Sequence, residues 1–301
     1  MNLAAEHVAN AAKAKSLYTD KQQPKEQLAD WHFGVRSSRR DVANALRESA
    51  LLSDLAGALE KNCRHTVAFR HLMAPPMSQD QFKLICPQWS KQSENESRPL
   101  NSAAAKAAAE ALVPRLDPGL VGWVLAKRAP SRNEIRTVLK VAAALIAQQR
   151  VATARRTRLS FDQEYAVIQI LEQEGWTRLP SRLIDTRAAV PPKHFMHKTR
   201  FATKTRPQEV DVACGLKGTF VLAMECKVTN DETNSVKRVN DVLKKATAWH
   251  DHWGSFVRTA AVLEGVVAPK DVQRLTDANV VVFWSHDLEK FREWLSTALG
   301  V

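Results

Sequence analysis

The chain is short of several things, and each shortage excludes something. Four cysteines occur in 301 residues: Cys63, Cys86, Cys214 and Cys226. None forms a CxxC pair and no His/Cys cluster has zinc spacing, so neither a disulfide scaffold nor a structural zinc site is expected. They read as reduced thiols of a packed core. No apolar run approaches the roughly 20 residues that cross a bilayer, and the first residues lack an apolar stretch of signal-peptide kind. A cytoplasmic protein without a membrane partner is the expectation. Phosphate loop, nucleophile elbow and dinucleotide fingerprint are all missing, which sets those chemistries aside. Internal repeats are absent as well. Acid is also in deficit, with 32 Asp and Glu against 44 Lys and Arg and a formal net charge of +12. That surplus suits a polyanionic partner, and nucleic acid is the simplest one.

What is present divides into two regions. Residues 1–150 read as a mostly helical N-terminal region, with Ala-rich amphipathic stretches at 2–17, 41–61, 102–112 and 133–149. The polar, proline-punctuated section from Met73 to Pro99 reads as a loop or exposed insertion. After Arg150 comes a basic run with Arg155, Arg156 and Arg158. Ser160-Phe161-Asp162-Gln163 then matches a capping box, so a helix is expected to start at Ser160 and to stop at Gly175. A short strand near residues 176–179 precedes a long polar connection through Pro191-Pro192. Strands follow at 208–214 and 219–228, with Gly215 and Gly218 marking the turn. A helix from Asn234 or Ser235, a buried strand at 259–267, a helix at 269–277, a strand at 280–284 and a helix at 287–299 complete the second domain, 151–301. Trp176, Trp249, Trp253, Trp284 and Trp294 fall on these elements as ordinary core residues.

The chemistry concentrates in the two adjacent strands. Asp211 lies in the first, and Glu225-Cys226-Lys227 in the second. Residues two apart in a strand share a face, so Glu225 and Lys227 project together from an apolar run. A carboxylate and an ammonium placed there need partners or a cation. Two carboxylates and a lysine at one point are what Mg²⁺-assisted phosphodiester hydrolysis requires. Asp211 and Glu225 would hold the metal, with the backbone carbonyl of Cys226 as a further ligand. Lys227 would orient or deprotonate the attacking water and offset charge in the transition state. The plainer alternative is a strand cap at Asp211 and an exposed ion pair on an edge strand. Register discriminates: a tight four-residue turn over Gly215–Gly218 would put Asp211 opposite Leu222 and away from Glu225. A shared site requires a three- or five-residue loop, or a bulge.

This motif resembles that of the PD-(D/E)XK nuclease superfamily, although Val210 stands where a proline often precedes the aspartate. The resemblance implies an α/β fold with the restriction-endonuclease-like αβββαβ core and a mixed sheet, which the element order from residue 160 onward matches. Residues 191–202, 224–228 and 230–238 are further similar to the XamI-type restriction endonuclease family. That resemblance covers most of residues 155–295 and, more loosely, Gln81-Phe82-Lys83-Leu84. It implies a type II enzyme, dependent on Mg²⁺, that cuts double-stranded DNA at a short specific site. A cognate DNA methyltransferase would act on the same site, and a homodimer would address the two strands of a palindrome. The N-terminal region would then serve DNA recognition or dimerisation. Two alternatives remain open: a repair or recombination nuclease with the same chemistry, and a non-catalytic DNA-binding protein on a degenerate nuclease scaffold.

Other candidate residues follow. The resemblance gives Glu164 a catalytic role beside the metal site; otherwise it is a first-turn acid favouring the helix dipole. Lys193, His197, Lys198, Arg200, Lys204 and Arg206 make an acid-free segment suited to DNA contacts, with Phe195 and Phe201 interleaved. A basic linker is the alternative reading, and the His194/His197 pair lacks a third soft ligand nearby. Asn234, Ser235, Lys237 and Arg238 begin a helix that in the family flanks the active site and touches phosphates. A solvated helix face would look the same.

Overall fold

The computed structural model describes residues 3–21 and 24–299. Its contacts divide the chain into two compact units, residues 24–154 and residues 1–23 with 155–301. Residue 2, the start of the first expected helix, lies outside the described residues.

The helical unit holds α2 (Pro24–Glu48), α3 (Leu55–Lys61), α4 (Thr66–Arg70), α5 (Gln79–Ile85), α6 (Lys91–Asn95), α7 (Ser102–Leu112), α8 (Pro118–Leu125) and the first part of α9 (Arg132–Gln173); α1 (Leu3–Asp20) belongs to the other unit. The long helix expected over 41–61 is instead α2 and α3, separated where Ala50, Leu51 and Leu52 take positive φ values. Local capping accounts for the restart: Asp54 accepts from the Gly57 N–H. The stretch 73–99, expected to be a loop, contains α5 and α6 and packs into the core. Phe82 and Trp89 are fully buried there, edge to face at 5.1 Å. Ser78 and Gln81 form a complete capping box at the start of α5.

The other capping box fails. Ser160 lies inside α9, which runs unbroken from Arg132 to Gln173. The intervening basic run is rich in Arg and Ala and contains neither Gly nor Pro, so nothing stops the helix before Ser160. Gln163 is buried and donates to the Val262 carbonyl (3.2 Å) and the Ser285 hydroxyl (2.7 Å).

The rest of this unit is a seven-stranded mixed sheet. Its elements are β1 (Thr177–Leu179), β2 (Leu183–Ile184), β3 (His194–Phe201), β4 (Gln208–Gly215), β5 (Val221–Thr229), α10 (Glu232–Trp253), β6 (Val257–Gly265), α11 (Pro269–Asp277), β7 (Val280–Trp284) and α12 (Glu289–Leu299). The order is β1-β3-β4-β5-β6-β7, with β2 also on β3. β3, β4 and β5 form an antiparallel meander; β6 and β7 continue it in parallel. The second domain is thus an α/β restriction-endonuclease-like core. The α9 face is sealed by Val167, Ile168 and Leu171 with Phe195, Val212, Leu222, Met224 and the α12 residues Phe291 and Leu295. On the opposite face α10 buries Val239, Val242, Ala246 and Trp249. Here too packs α1, which contacts β6 and α11. All four cysteines are free thiols and buried.

β3 is the strand that the sequence conceals. Its cations suggest a linker, yet Phe195, Met196, Thr199 and Phe201 are all buried.

Candidate active site

The site begins where two strands lose their regularity at the same rung. β3 and β4 pair at His197↔Val212 and Thr199↔Val210, and the rung between them, Lys198 with Asp211, is missing. Lys198 has φ +50. Phe195 and Phe201 would share a face in a regular strand, but they pack in the clusters on opposite sides of the sheet. Val210 and Val212 are likewise split between the two sides. Such an irregularity re-aims a side chain. Here the side chain is that of Asp211.

The next strand supplies the matching gap. β4 and β5 pair from Gly215↔Val221 to Val212↔Met224 and no further. Residues 216–220 form the connection, closed by the Leu216 N–H on the Phe220 carbonyl at 2.8 Å. This is a five-residue loop, not the tight turn over 215–218. Gly218 takes φ +69 within it, and a Cβ on Gly215 would stand 2.0 Å from the Pro191 carbonyl oxygen. Continued by one rung, the register sets Asp211 against Glu225. Pairing has ended there, and the Cys226 N–H would be an orphan donor. Asp211 Oδ2 accepts it at 2.8 Å.

Glu225 itself is fully buried. It sits mid-strand, with β6 paired along β5 from Val221 to Thr229. Lys227 Nζ donates to Glu225 Oε2 at 2.6 Å, and Lys245 Nζ of α10 donates to the same oxygen at 2.8 Å. Lys227 Nζ also stands 3.6 Å from Asp211 Oδ2 and 3.6 Å from Asp241 Oδ2. Three carboxylates therefore surround the Lys227 amine, and Lys245 joins it on Glu225. Burial pushes the Glu225 carboxyl up, and Lys227 and Lys245 only partly counter it. Burial works against the Lys227 ammonium too, but Glu225, Asp211 and Asp241 outweigh it and hold the amine above the ordinary lysine range.

One atom is left over. Glu225 Oε1 is buried and has no hydrogen-bond partner. An unmet buried carboxylate oxygen is costly unless something else satisfies it. Asp211 and Glu225 thus fit a hard cation. Among the described residues no three His, Cys, Asp or Glu side chains converge as a metal-holding group. A pair of carboxylates such as Asp211 and Glu225 suits Mg²⁺, which binds few carboxylates and keeps several waters. The Cys226 thiol is no ligand: it packs in the apolar cluster on the α9 side, and burial pushes its pKa well up. The expectation for Cys226 concerns its backbone carbonyl alone.

The remaining candidates separate. Glu164 is buried on α9, accepts His197 Nε2 at 2.6 Å and lies 3.2 Å from Lys198 Nζ. It also raises the Cys226 thiol pKa, after burial and Asp211 in size, which places it near β5. Arg178 Nη2 reaches His197 Nδ1 at 3.2 Å, so the ring proton falls on Nε2 toward Glu164. Lys193, Lys198, Arg200, Lys204 and Arg206 are exposed, as are Lys237 and Arg238. Asn234 is half-buried and donates to the Asp231 carboxylate at 2.7 Å. Ser235 is different: it is fully buried and donates to Asp271 Oδ2 at 2.9 Å, so its hydroxyl fastens α10 to α11 instead of facing solvent. The helix also starts earlier than expected, with Asp231 as its N-cap. Sequence reasoning left Lys245 out. Asn234, Arg238, Asp241 and Lys245 recur at steps of four, three and four, the spacing of one helix face, and that signal could have found it.

Comparison with known proteins follows the same lines. The profile of the family described as XamI restriction endonuclease matches residues 51–284. The type II restriction enzyme XamI of Xanthomonas campestris pv. amaranthicola is 30% identical over 198 residues, covering 62% of this chain and 67% of that one. The crystal structure of protein VC1899 from Vibrio cholerae aligns with 93% of this chain and 59% of that chain, at 12% identity and a TM-score of 0.33, a likeness too slight to bear on the fold. Among the described residues no helix is long and apolar enough to cross a membrane. By the extent of the profile match and the identity to XamI, the chain belongs to the XamI restriction endonuclease family.

Proposed function

We propose that this protein is a Mg²⁺-dependent type II restriction endonuclease that hydrolyses phosphodiester bonds of double-stranded DNA at a short specific site. The observation that carries the reading is Glu225: a fully buried carboxylate with one bare oxygen, beside Asp211 and Lys227. Its membership of the family supports the substrate.

Asp211 and Glu225 would hold the cation, with the Cys226 carbonyl available beside them. Bound there, the metal supplies Lewis-acid polarisation of the phosphate and a more acidic water. The protein's own groups do the rest. Asp211 is fixed by the Cys226 N–H, so its position is set by the backbone of β5. Lys227 presents a charged amine that orients the attacking water and offsets charge on the phosphorane-like transition state. Glu164, held by His197 and Lys198, steadies the opposite side of the strand break. The exposed cations Lys193, Lys198, Arg200, Lys204, Arg206, Lys237 and Arg238 would contact phosphates and set affinity, not sequence. A homodimer would cut both strands of a palindrome, with residues 24–154 serving recognition or dimerisation. A DNA methyltransferase acting on the same site would protect the host.

The test is digestion of unmethylated plasmid DNA of known sequence. Discrete bands with Mg²⁺, lost with chelator and lost in Glu225→Gln, are the expected result. A smear, or cleavage that Glu225→Gln leaves intact, would contradict the proposal.

A further inference from the structure

The arrangement around Glu225 contains one amine more than hydrolysis needs. Lys245 comes from α10, more than three turns beyond the helix start, and its side chain is mostly buried, with 15% exposed. Side-chain burial of a lysine is uncommon without a specific partner. Its partner is the oxygen that Lys227 already occupies, at 2.8 Å from Lys245 and 2.6 Å from Lys227. Asp241, one helical turn earlier, stands 4.0 Å from Lys245 and 3.6 Å from Lys227. Counted as formal charges, Asp211, Glu225 and Asp241 against Lys227 and Lys245 leave a surplus of one negative charge. Without Lys245 the surplus would be two. Both amines converge on Oε2, and Oε1 is left bare.

We infer that Lys245 is a positioning residue that sets the affinity of the site for its divalent cation. It acts as an internal counter-charge, holding Glu225 in place with Oε1 free while opposing the approach of a second positive charge. This rests on the hydrolytic reading of the Asp211/Glu225 pair. The consequence is a site that binds cation weakly by itself and strongly once DNA phosphate adds negative charge. A purely structural lysine would give the opposite sign: its loss would loosen Glu225 and weaken cation binding. The two signs differ because Lys227 remains on Glu225 when Lys245 is gone, so the carboxylate keeps a holder and loses a competitor.

The experiment is calorimetric titration of Mn²⁺ into the full-length protein without DNA. The set is the natural protein, Lys245→Met, Lys245→Gln, Lys245→Arg and the double variant Asp211→Asn/Glu225→Gln. Lys245→Met is expected to bind Mn²⁺ about tenfold more tightly, since two like charges a few ångströms apart repel strongly at a partly buried site. Lys245→Gln keeps a hydrogen-bond donor for Glu225 and should tighten binding as well, which guards against a misfolded methionine variant. Lys245→Arg restores the charge and should return the affinity to within about threefold of the natural protein. Unchanged or weakened binding in both neutral variants, with normal binding in the natural protein, would overturn the role of Lys245 alone. Binding that survives in the double variant, or that neither the natural protein nor either neutral variant shows, would overturn the hydrolytic reading and the inference with it.

Discussion

Each unit buries an ion pair, and the two pairs differ in what is left unmet. In the helical unit Arg70 and Glu94 are both almost fully buried. Arg70 Nη2 donates to Glu94 Oε1 at 2.8 Å and Nε to Oε2 at 3.3 Å. Gln79 adds a donor to Oε1 at 2.7 Å, and the remaining Arg70 nitrogen bonds the Met77 carbonyl. Every carboxylate oxygen has a partner. In the sheet unit Glu225 is equally buried, but two lysines crowd one oxygen and the other has none. Both pairs carry the desolvation cost of charge. The first is closed and can only hold α4, α5 and α6 together. The second is open, with one carboxylate oxygen unmet in a site that Asp211 shares through Lys227. Burial and charge are alike in these two pairs; the unmet Glu225 oxygen is what sets the second apart.

The comparison can be broken by substitution. The largest effect is on turnover. Glu225→Gln or Asp211→Asn should lower the rate of DNA cleavage by a thousandfold or more, on the order of losing a central electrostatic contact. Both proteins should keep a cooperative unfolding transition. Next comes stability in the helical unit. Arg70→Met or Glu94→Ala strands a buried charge and should cost about 3–5 kcal/mol in urea-induced unfolding. The equivalent change in the sheet unit should cost less. Lys227→Met leaves Glu225 with Lys245, so the loss should be about 1 kcal/mol, the scale of one hydrogen bond, although cleavage disappears. Equal losses in the two units would show that the closed and open pairs do not differ. The smallest effect is expected at Ser160. As an N-cap it would cost about 0.5–2 kcal/mol on change to Ala; inside a continuous α9 the change should stay within about 0.5 kcal/mol.

Ser160 also shows where the sequence stops being legible. Its capping-box pattern is real but local, and α9 passes through because no Gly or Pro interrupts the run before it. The β5-α10-β6-α11-β7-α12 order was readable because apolar runs and Pro269 mark it plainly. β3 was not, because its cations outweigh the buried Phe195, Met196, Thr199 and Phe201, whose positions do not alternate regularly. The stretch 73–99 misled for a similar reason: its prolines and polar residues hide Phe82 and Trp89, which only tertiary contacts bury. At the site itself Asp211, Glu225 and Lys227 stood out in sequence, and the five-residue loop that brings them into register was among the geometries that the glycines permit. Lys245 was missed because it lies 18 positions beyond Lys227, and no strand pattern reaches that far. The burial of Ser235 was not legible, because only the structure shows Asp271 beside it.

The hydrolytic chemistry proposed for this site requires a cation held by Asp211 and the bare oxygen of Glu225. Anomalous diffraction from a crystal soaked in Mn²⁺ would locate it. The expected result is a peak about 2–2.3 Å from a carboxylate oxygen of Asp211 and from Glu225 Oε1, absent in Glu225→Gln. A peak elsewhere, or none at these two residues under conditions in which the protein cleaves DNA, would contradict it.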